Sequence, residues 1–238
     1  MLKITHFSKI YKGNVKAVDD LSLSILPGDI YGFIGHNGAG KSTTIRAIVG
    51  VLDFTDGDIL IDGHSIKREP LLCKQITAYI PDNPDLYDHL TGIQYLNFIC
   101  DIYQVSRADR EKRIGRLGDD FEITADLGDS ISAYSHGMKQ KLALISALAH
   151  NPRLMVLDEP FVGLDPKAAL TLKNLMKEIC ASGGAIFFST HVLDVAEKLC
   201  NKIAIINKGR LAASGNIGEL VRDKSLEHLF MEVAAHEQ

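Results

Sequence analysis

The eight residues Gly35-His36-Asn37-Gly38-Ala39-Gly40-Lys41-Ser42 fit the spacing G-x-x-x-x-G-K-[ST], and Thr43 follows. Glycines at those positions let backbone N–H groups curl around a chain of phosphates. A helix beginning at the lysine adds partial positive charge to the cradle. The Lys41 ammonium can reach the β- and γ-phosphates, and the Ser42 hydroxyl can ligate Mg²⁺. This is the phosphate chemistry of a nucleotide hydrolase, with Gly35, Asn37, Gly38, Ala39, Gly40, Lys41, Ser42 and Thr43 as its binding residues. A second group lies at Leu154-Met155-Val156-Leu157-Asp158-Glu159-Pro160, an apolar run ending in two adjacent carboxylates. Placed beside the phosphate loop, Asp158 would hold Mg²⁺ through water and Glu159 would polarise the attacking water as general base.

Those groups need elements to hold them. Asp29-Ile30-Tyr31-Gly32-Phe33-Ile34 reads as a short buried strand leading into the loop, and residues 42–49 as a helix that stops at Gly50. Residues 2–7, 21–26 and 58–61 alternate like strands and predict an antiparallel β layer around the phosphate-binding strand. Residues 92–116 and 136–149 have helical periodicity and predict a mostly helical insertion. The apolar runs 153–158, 185–190 and 203–206, separated by helical stretches, predict parallel strands buried on both faces. Asn207-Lys208-Gly209-Arg210 is a hairpin turn, and the tail from Ile217 to about Ala235 reads as helical. The expected fold is α/β: a P-loop NTPase core with a doubly wound, mainly parallel sheet, an antiparallel β layer and an inserted helical subdomain. Its segments are 1–82 for the β layer and phosphate-loop core, 83–152 for the insertion, 153–216 for the remaining core strands and 217–238 for the tail.

Composition narrows the function classes. A chain of 238 residues can bury roughly 70% of its extended surface and needs no staples. A net charge of −4, with basic residues spread along the chain, argues against nucleic acid as a partner. The basic run Arg107, Arg110, Lys112, Arg113 and Arg116 is interleaved with Asp109, Glu111, Asp119 and Asp120, the pattern of a solvated helix face. Cys73, Cys100, Cys180 and Cys200 have no C-x-x-C pair or zinc spacing and read as reduced thiols. No apolar stretch approaches the ~20 residues needed to cross a bilayer, so any membrane crossing would be done by another chain.

On these motifs the chain resembles the ATP-binding subunits of ABC transporters over nearly its whole length. Tyr134-Ser135-His136-Gly137-Met138 resembles the family's Leu-Ser-Gly-Gly-Gln signature, departing at three of five positions but keeping Ser135 and Gly137, and it lies 23 residues before Asp158. At a helix N-terminus that hydroxyl and N–H can both donate to a γ-phosphate. Gly163-Leu164-Asp165-Pro166 looks like the D-loop, whose aspartate contacts the opposing subunit. Ser189-Thr190-His191, 33 residues after Asp158, resembles the strand end bearing the switch histidine. Tyr11 resembles the aromatic that stacks on adenine, worth ~1–3 kcal/mol by analogy with base stacking, and Val18 is expected to line the same pocket. After Tyr79-Ile80-Pro81 the family usually has glutamine. Asp82 stands there, shorter by a methylene and anionic, and reads as a Mg²⁺-side residue and contact sensor.

The resemblance implies an ATP-hydrolysing motor that uses Mg²⁺, with Lys41, Glu159 and His191 at the reacting phosphate. Ser42, Asp158 and Asp82 fall on the metal side. It implies a head-to-tail pair, with ATP between Lys41 of one chain and Ser135 of the other; the second chain is a copy or a sister. It further implies a permease partner, docking near Asn83 to Leu90, and a position on the inner face of the cell membrane. The signature, the run Phe161-Val162-Gly163-Leu164-Asp165-Pro166 and the segment Ser225 to Phe230 look like the type-2 exporter branch. Two alternatives stay open: a soluble single-cassette ATPase of cofactor assembly, and a nucleotide-regulated binding module with little turnover.

Overall fold

The computed structural model describes residues 1–222 and 224–235. In chain order it has β1 (Leu2–Tyr11), β2 (Val15–Ile25), β3 (Ile30–Ile34), α1 (Lys41–Ile48), β4 (Asp56–Ile61), β5 (His64–Ser65), α2 (Pro70–Ile76) and β6 (Thr77–Ile80). There follow α3 (Gly92–Ile102), α4 (Arg107–Asp120), α5 (His136–Ala149), β7 (Leu154–Asp158), α6 (Pro166–Ala181), β8 (Ala185–Thr190), α7 (Leu193–Leu199), β9 (Lys202–Asn207), β10 (Arg210–Asn216), α8 (Ile217–Leu220) and α9 (Leu226–Ala235). β2-β1-β4-β5 make an antiparallel sheet, and β10-β9-β3-β8-β7-β6 a second sheet that is parallel except for β10. The phosphate strand β3 therefore stands in the parallel sheet, between β8 and β9, and not in the β layer.

The continuous apolar runs follow from two cores. On β3, Tyr31 and Phe33 face the antiparallel sheet, whereas Ile30 and Ile34 face the helices. Val156, Phe187 and Ala204 repeat the first direction on β7, β8 and β9, and Leu157, Phe188 and Ile205 the second. A strand apolar on both faces can only lie in the middle layer, which is why these runs do not alternate with polar residues. Phe33 and Phe187 meet at 5.2 Å between ring centroids.

Element ends follow their caps. Thr91 and Gln94 form a capping box at the start of α3, and Ser106, Ser135 and Asp165 cap α4, α5 and α6. Two expected helices are shorter than their periodicity suggested. The stretch 92–116 breaks after Ile102 and resumes at Arg107 under the Ser106 cap, and the tail divides into α8 and α9. The expected tail segment includes residues 223 and 236–238, which lie outside the described residues. The arginines of α4 are paired within the chain: Arg107 with Glu111 at 2.8 Å, Arg110 with Asp101 at 2.5 Å and Arg116 with Glu178 at 2.6 Å. Cys73, Cys100 and Cys200 are buried, and burial pushes the Cys200 thiol up to about 12, so it is an inert packing group. Among the described residues no helix is long and apolar enough to cross a membrane.

One core group gives the fold a pH dependence. His150, at the end of α5, stacks on Tyr103 with ring centroids 3.7 Å apart and planes 12° from parallel. Burial pushes its pKa down from 6.5 to about 4. Between those values the unfolded chain binds a proton that the folded chain refuses, so stability falls as pH drops from about 6.5 towards 4. The loss is up to ~3 kcal/mol from this group. Denaturant titrations at pH 7 and pH 4.5 should show it, and His150→Asn should flatten the difference.

Candidate phosphate-binding and hydrolytic site

β3 ends at Ile34 against the carboxyl ends of β8 and β9, the edge at which ligands bind open α/β sheets. The chain then turns through the loop into α1. Gly40 makes this turn at φ 109°, and a Cβ there would stand 2.6 Å from the Ala17 carbonyl oxygen, so only glycine fits. The β9–β10 turn braces the loop from outside: the Gly209 N–H donates to the Ala39 carbonyl at 2.9 Å. Among the described residues, the N–H groups of Asn37, Gly38 and Gly40 donate to no protein acceptor. With Lys41, Ser42 and Thr43 they line a cavity of about 340 Å³. Unpaired donors converging on a cleft suit an anion with many acceptor oxygens.

Lys41 is buried and donates from Nζ to the carbonyls of Gly35 at 2.6 Å and His36 at 3.3 Å. Burial pushes its pKa down, while Glu159 and Asp158 oppose that shift. Glu159 stands 4.0 Å from Lys41 Nζ, and His191 Nδ1 lies 2.9 Å from the same carboxylate. Glu159 has φ 49°, in the left-handed region and directly before Pro160, a conformation that costs on the order of 1–3 kcal/mol. Its backbone is held there by its N–H donating to Ser189 Oγ at 3.1 Å and its carbonyl accepting from the Val162 N–H at 3.1 Å. The strained turn aims the carboxylate at the loop instead of along the strand. Asp158, 6% exposed, accepts from Ser189 Oγ at 2.5 Å. Glu159 thus stands between Lys41 and His191, within ion-pair distance of each, and Asp158 precedes it at the end of β7. In the sequence Ser189 stands only as part of the run that ends in His191, with no role of its own; its place opposite Asp158 in the β7–β8 register is what brings it to the site.

The remaining expected residues divide. Tyr11 reaches the start of α1, its hydroxyl 3.4 Å from Thr43 Oγ1, with its ring partly open to solvent. Val18 is not among the residues that line the phosphate cavity. It is fully buried behind Gly40 because the inward face of β2 packs into the core, and its neighbour Ala17 lines the phosphate cavity instead. Asp82 stands two residues beyond the end of β6, whose last residue Ile80 pairs with Leu157, so it leaves the sheet at the same edge as Asp158. Ser135 caps α5, its Oγ accepting from the Met138 N–H at 3.3 Å. Its neighbours Tyr134 and His136 line a different cavity, with Asn83 to Leu86, Asp88 and Lys139. Gly137 packs against Gly163, whose carbonyl a Cβ at 137 would meet at 3.0 Å. Asp165 was expected to face a second subunit. Here both its carboxylate oxygens are engaged within the chain, one by the Ala168 N–H at 2.8 Å and one by Lys141 Nζ at 2.8 Å.

These features agree with known proteins. The ABC transporter family matches residues 18–162, more than half of the chain. The ABC-type transporter ATP-binding protein EcsA of Bacillus subtilis (strain 168) is 36% identical over 227 residues, covering 92% of both chains. ATP-binding cassette sub-family A member 2 of Homo sapiens is 34% identical over 224 residues, covering 92% of this chain and 9% of that one. A solved ATP-binding subunit of an ABC transporter superposes with a TM-score of 0.94 at 34% identity, covering 98% of this chain and 99% of that one. The chain belongs to the ABC transporter family and is one of its ATP-hydrolysing, ATP-binding subunits.

Proposed function

We propose that the chain is the motor subunit of a membrane exporter and works as a pair that sandwiches ATP. The observation that carries this reading is the separation of two phosphate-competent surfaces. The phosphate loop and Lys41 line one cavity, with the hydrolytic carboxylate beside Lys41, while Tyr134 and His136, on either side of Ser135, line a different one that shares no residue with it. A second copy or a sister chain would bring its own Ser135 hydroxyl and Gly137 N–H to the γ-phosphate held by Lys41. Likeness to the human sub-family A member supports the exporter branch.

In this reading the loop amides and Lys41 bind and orient the triphosphate. Tyr11 stacks on adenine beside Thr43. Glu159, held off the strand direction by its own backbone, takes a proton from the attacking water; His191 orients that carboxylate and meets the γ-phosphate. The donor set suits Mg²⁺ in a particular way: an exposed Ser42 hydroxyl, a buried Asp158 carboxylate and Asp82 at the same edge. No cluster of three or more metal-binding His, Cys, Asp or Glu side chains occurs among the described residues. An ion that keeps several waters and leans on phosphate oxygens fits such a sparse set. Mg²⁺ held there supplies charge neutralisation of the phosphates.

Permease docking is assigned to the start of the insertion. Tyr87 is exposed and groups with Tyr95 and Phe98, at 5.9 and 5.6 Å between centroids, while Leu86 and Leu90 turn to the insertion's core. A detergent pull-down with the full chain tests the function: an integral membrane partner should be recovered and should be depleted by Tyr87→Ala. Recovery of soluble proteins alone would overturn the transporter reading.

A further inference from the structure

We infer that Phe230, in the tail helix α9, is a positioning residue for the phosphate loop. Its ring packs on the His36 imidazole with centroids 4.5 Å apart and planes inclined at 51°. His36 is the first variable residue of the loop. Its carbonyl accepts from Lys41 Nζ at 3.3 Å and from the Ala39 N–H at 3.1 Å. The contact therefore presses on the residue whose backbone sets both the lysine and the bend of the loop. His36 has an exposed side chain that no other ring contacts among the described residues, so Phe230 supplies its apolar cover.

The helix bearing Phe230 is fastened independently. Leu226 is fully buried in the helix-side core, and its N–H donates to Glu197 Oε2 on α7 at 3.3 Å. Lys224 and His228 both pair with Glu232, tying the helix to its own approach. α7 begins two residues after His191. Thus α9 spans the segment that follows the switch histidine and the loop that holds phosphate. A short helix anchored at Leu226 and touching the loop through one ring acts as a strap. Its ring fixes the loop in the shape that presents the Asn37, Gly38 and Gly40 amides, and the ordering cost of that shape is met before nucleotide arrives.

This inference rests on the ATP site described above, and the test separates the two. In Phe230→Ala the KM for ATP should rise about three- to tenfold, the range expected for losing one aromatic contact, while kcat changes less than about twofold. Phe230→Tyr should restore the KM, and Met231→Ala, on the exposed side of the same helix, should leave it unchanged. In a His36→Ala background Phe230→Ala should have no further effect, because the cycle isolates the pair. Without any nucleotide, amide exchange at residues 36–40 should quicken in Phe230→Ala, a readout that does not depend on ATPase activity. Unchanged exchange and KM, or an equal effect with and without His36, would overturn the assignment. A parallel drop in kcat and thermal midpoint that Tyr does not rescue would also overturn it, as a merely structural role.

Discussion

Glu159→Gln should slow ATP hydrolysis by ~10²-fold or more while nucleotide binding is kept. The amide fills the same space between Lys41 and His191 but cannot accept the proton of the attacking water. It also removes a negative charge 4.0 Å from Lys41 Nζ and 2.9 Å from His191 Nδ1, which lowers repulsion towards the triphosphate. ATP should therefore accumulate uncleaved, and the ATP-bound pair with it. Single-turnover phosphate release gives the rate, and size exclusion with and without ATP gives the assembly. A Glu159→Gln chain that hydrolyses at the native rate, or stays monomeric in saturating ATP, would contradict the assignment of Glu159 as general base in a sandwiched site.

Lys41→Ala should cost binding itself. Lys41 is the buried cation of the loop, and its charge-assisted bonds to phosphate oxygens are worth about 1.5–3 kcal/mol, or roughly ten- to a hundredfold in ATP affinity. Hydrolysis should fall further, since the same ammonium also stabilises charge on the transferring phosphoryl group. The fold should survive. Lys41 Nζ donates to two backbone carbonyls of a loop already braced by Gly209, and its removal leaves Glu159 still paired with His191. Equilibrium binding of a fluorescent ATP analogue, beside a thermal melt, separates loss of ligand from loss of structure. The two predictions differ in kind: one keeps the ligand and stops the chemistry, the other loses the ligand.

Much of this site was legible because it depends on residue types at fixed spacing. The glycines, Lys41 and Ser42 identify the loop, and an apolar run ending in Asp158-Glu159 identifies the partner strand. What the sequence could not carry was three-dimensional choice. Ala17 and Val18 are neighbours on opposite faces of β2, one at the phosphate cavity and one in the core, and a strand's facing is fixed by its core and not by its motif. Glu159 before Pro160 reads as extended, yet a serine from a strand 30 residues on holds it at positive φ. The break between α3 and α4 lies inside an unbroken helical periodicity and is decided by the Ser106 cap. Asp165 carries contacts that its motif does not announce. The motif identifies it as a residue turned towards another subunit, while in this chain its carboxylate caps α6 and pairs with Lys141, which together hold its pKa below the usual carboxylate range.

The central claim is that Ser135 serves a nucleotide held by another chain, and a mixing experiment tests it directly. Lys41→Ala and Ser135→Ala chains, each nearly inactive alone, are combined in equal amounts and assayed for ATP hydrolysis. A mixed pair contains one site with both residues intact, so random pairing should restore about a quarter of wild-type activity. No recovery, with mixed pairs demonstrated by differently tagged chains, would place Ser135 on its own chain's nucleotide and contradict the account.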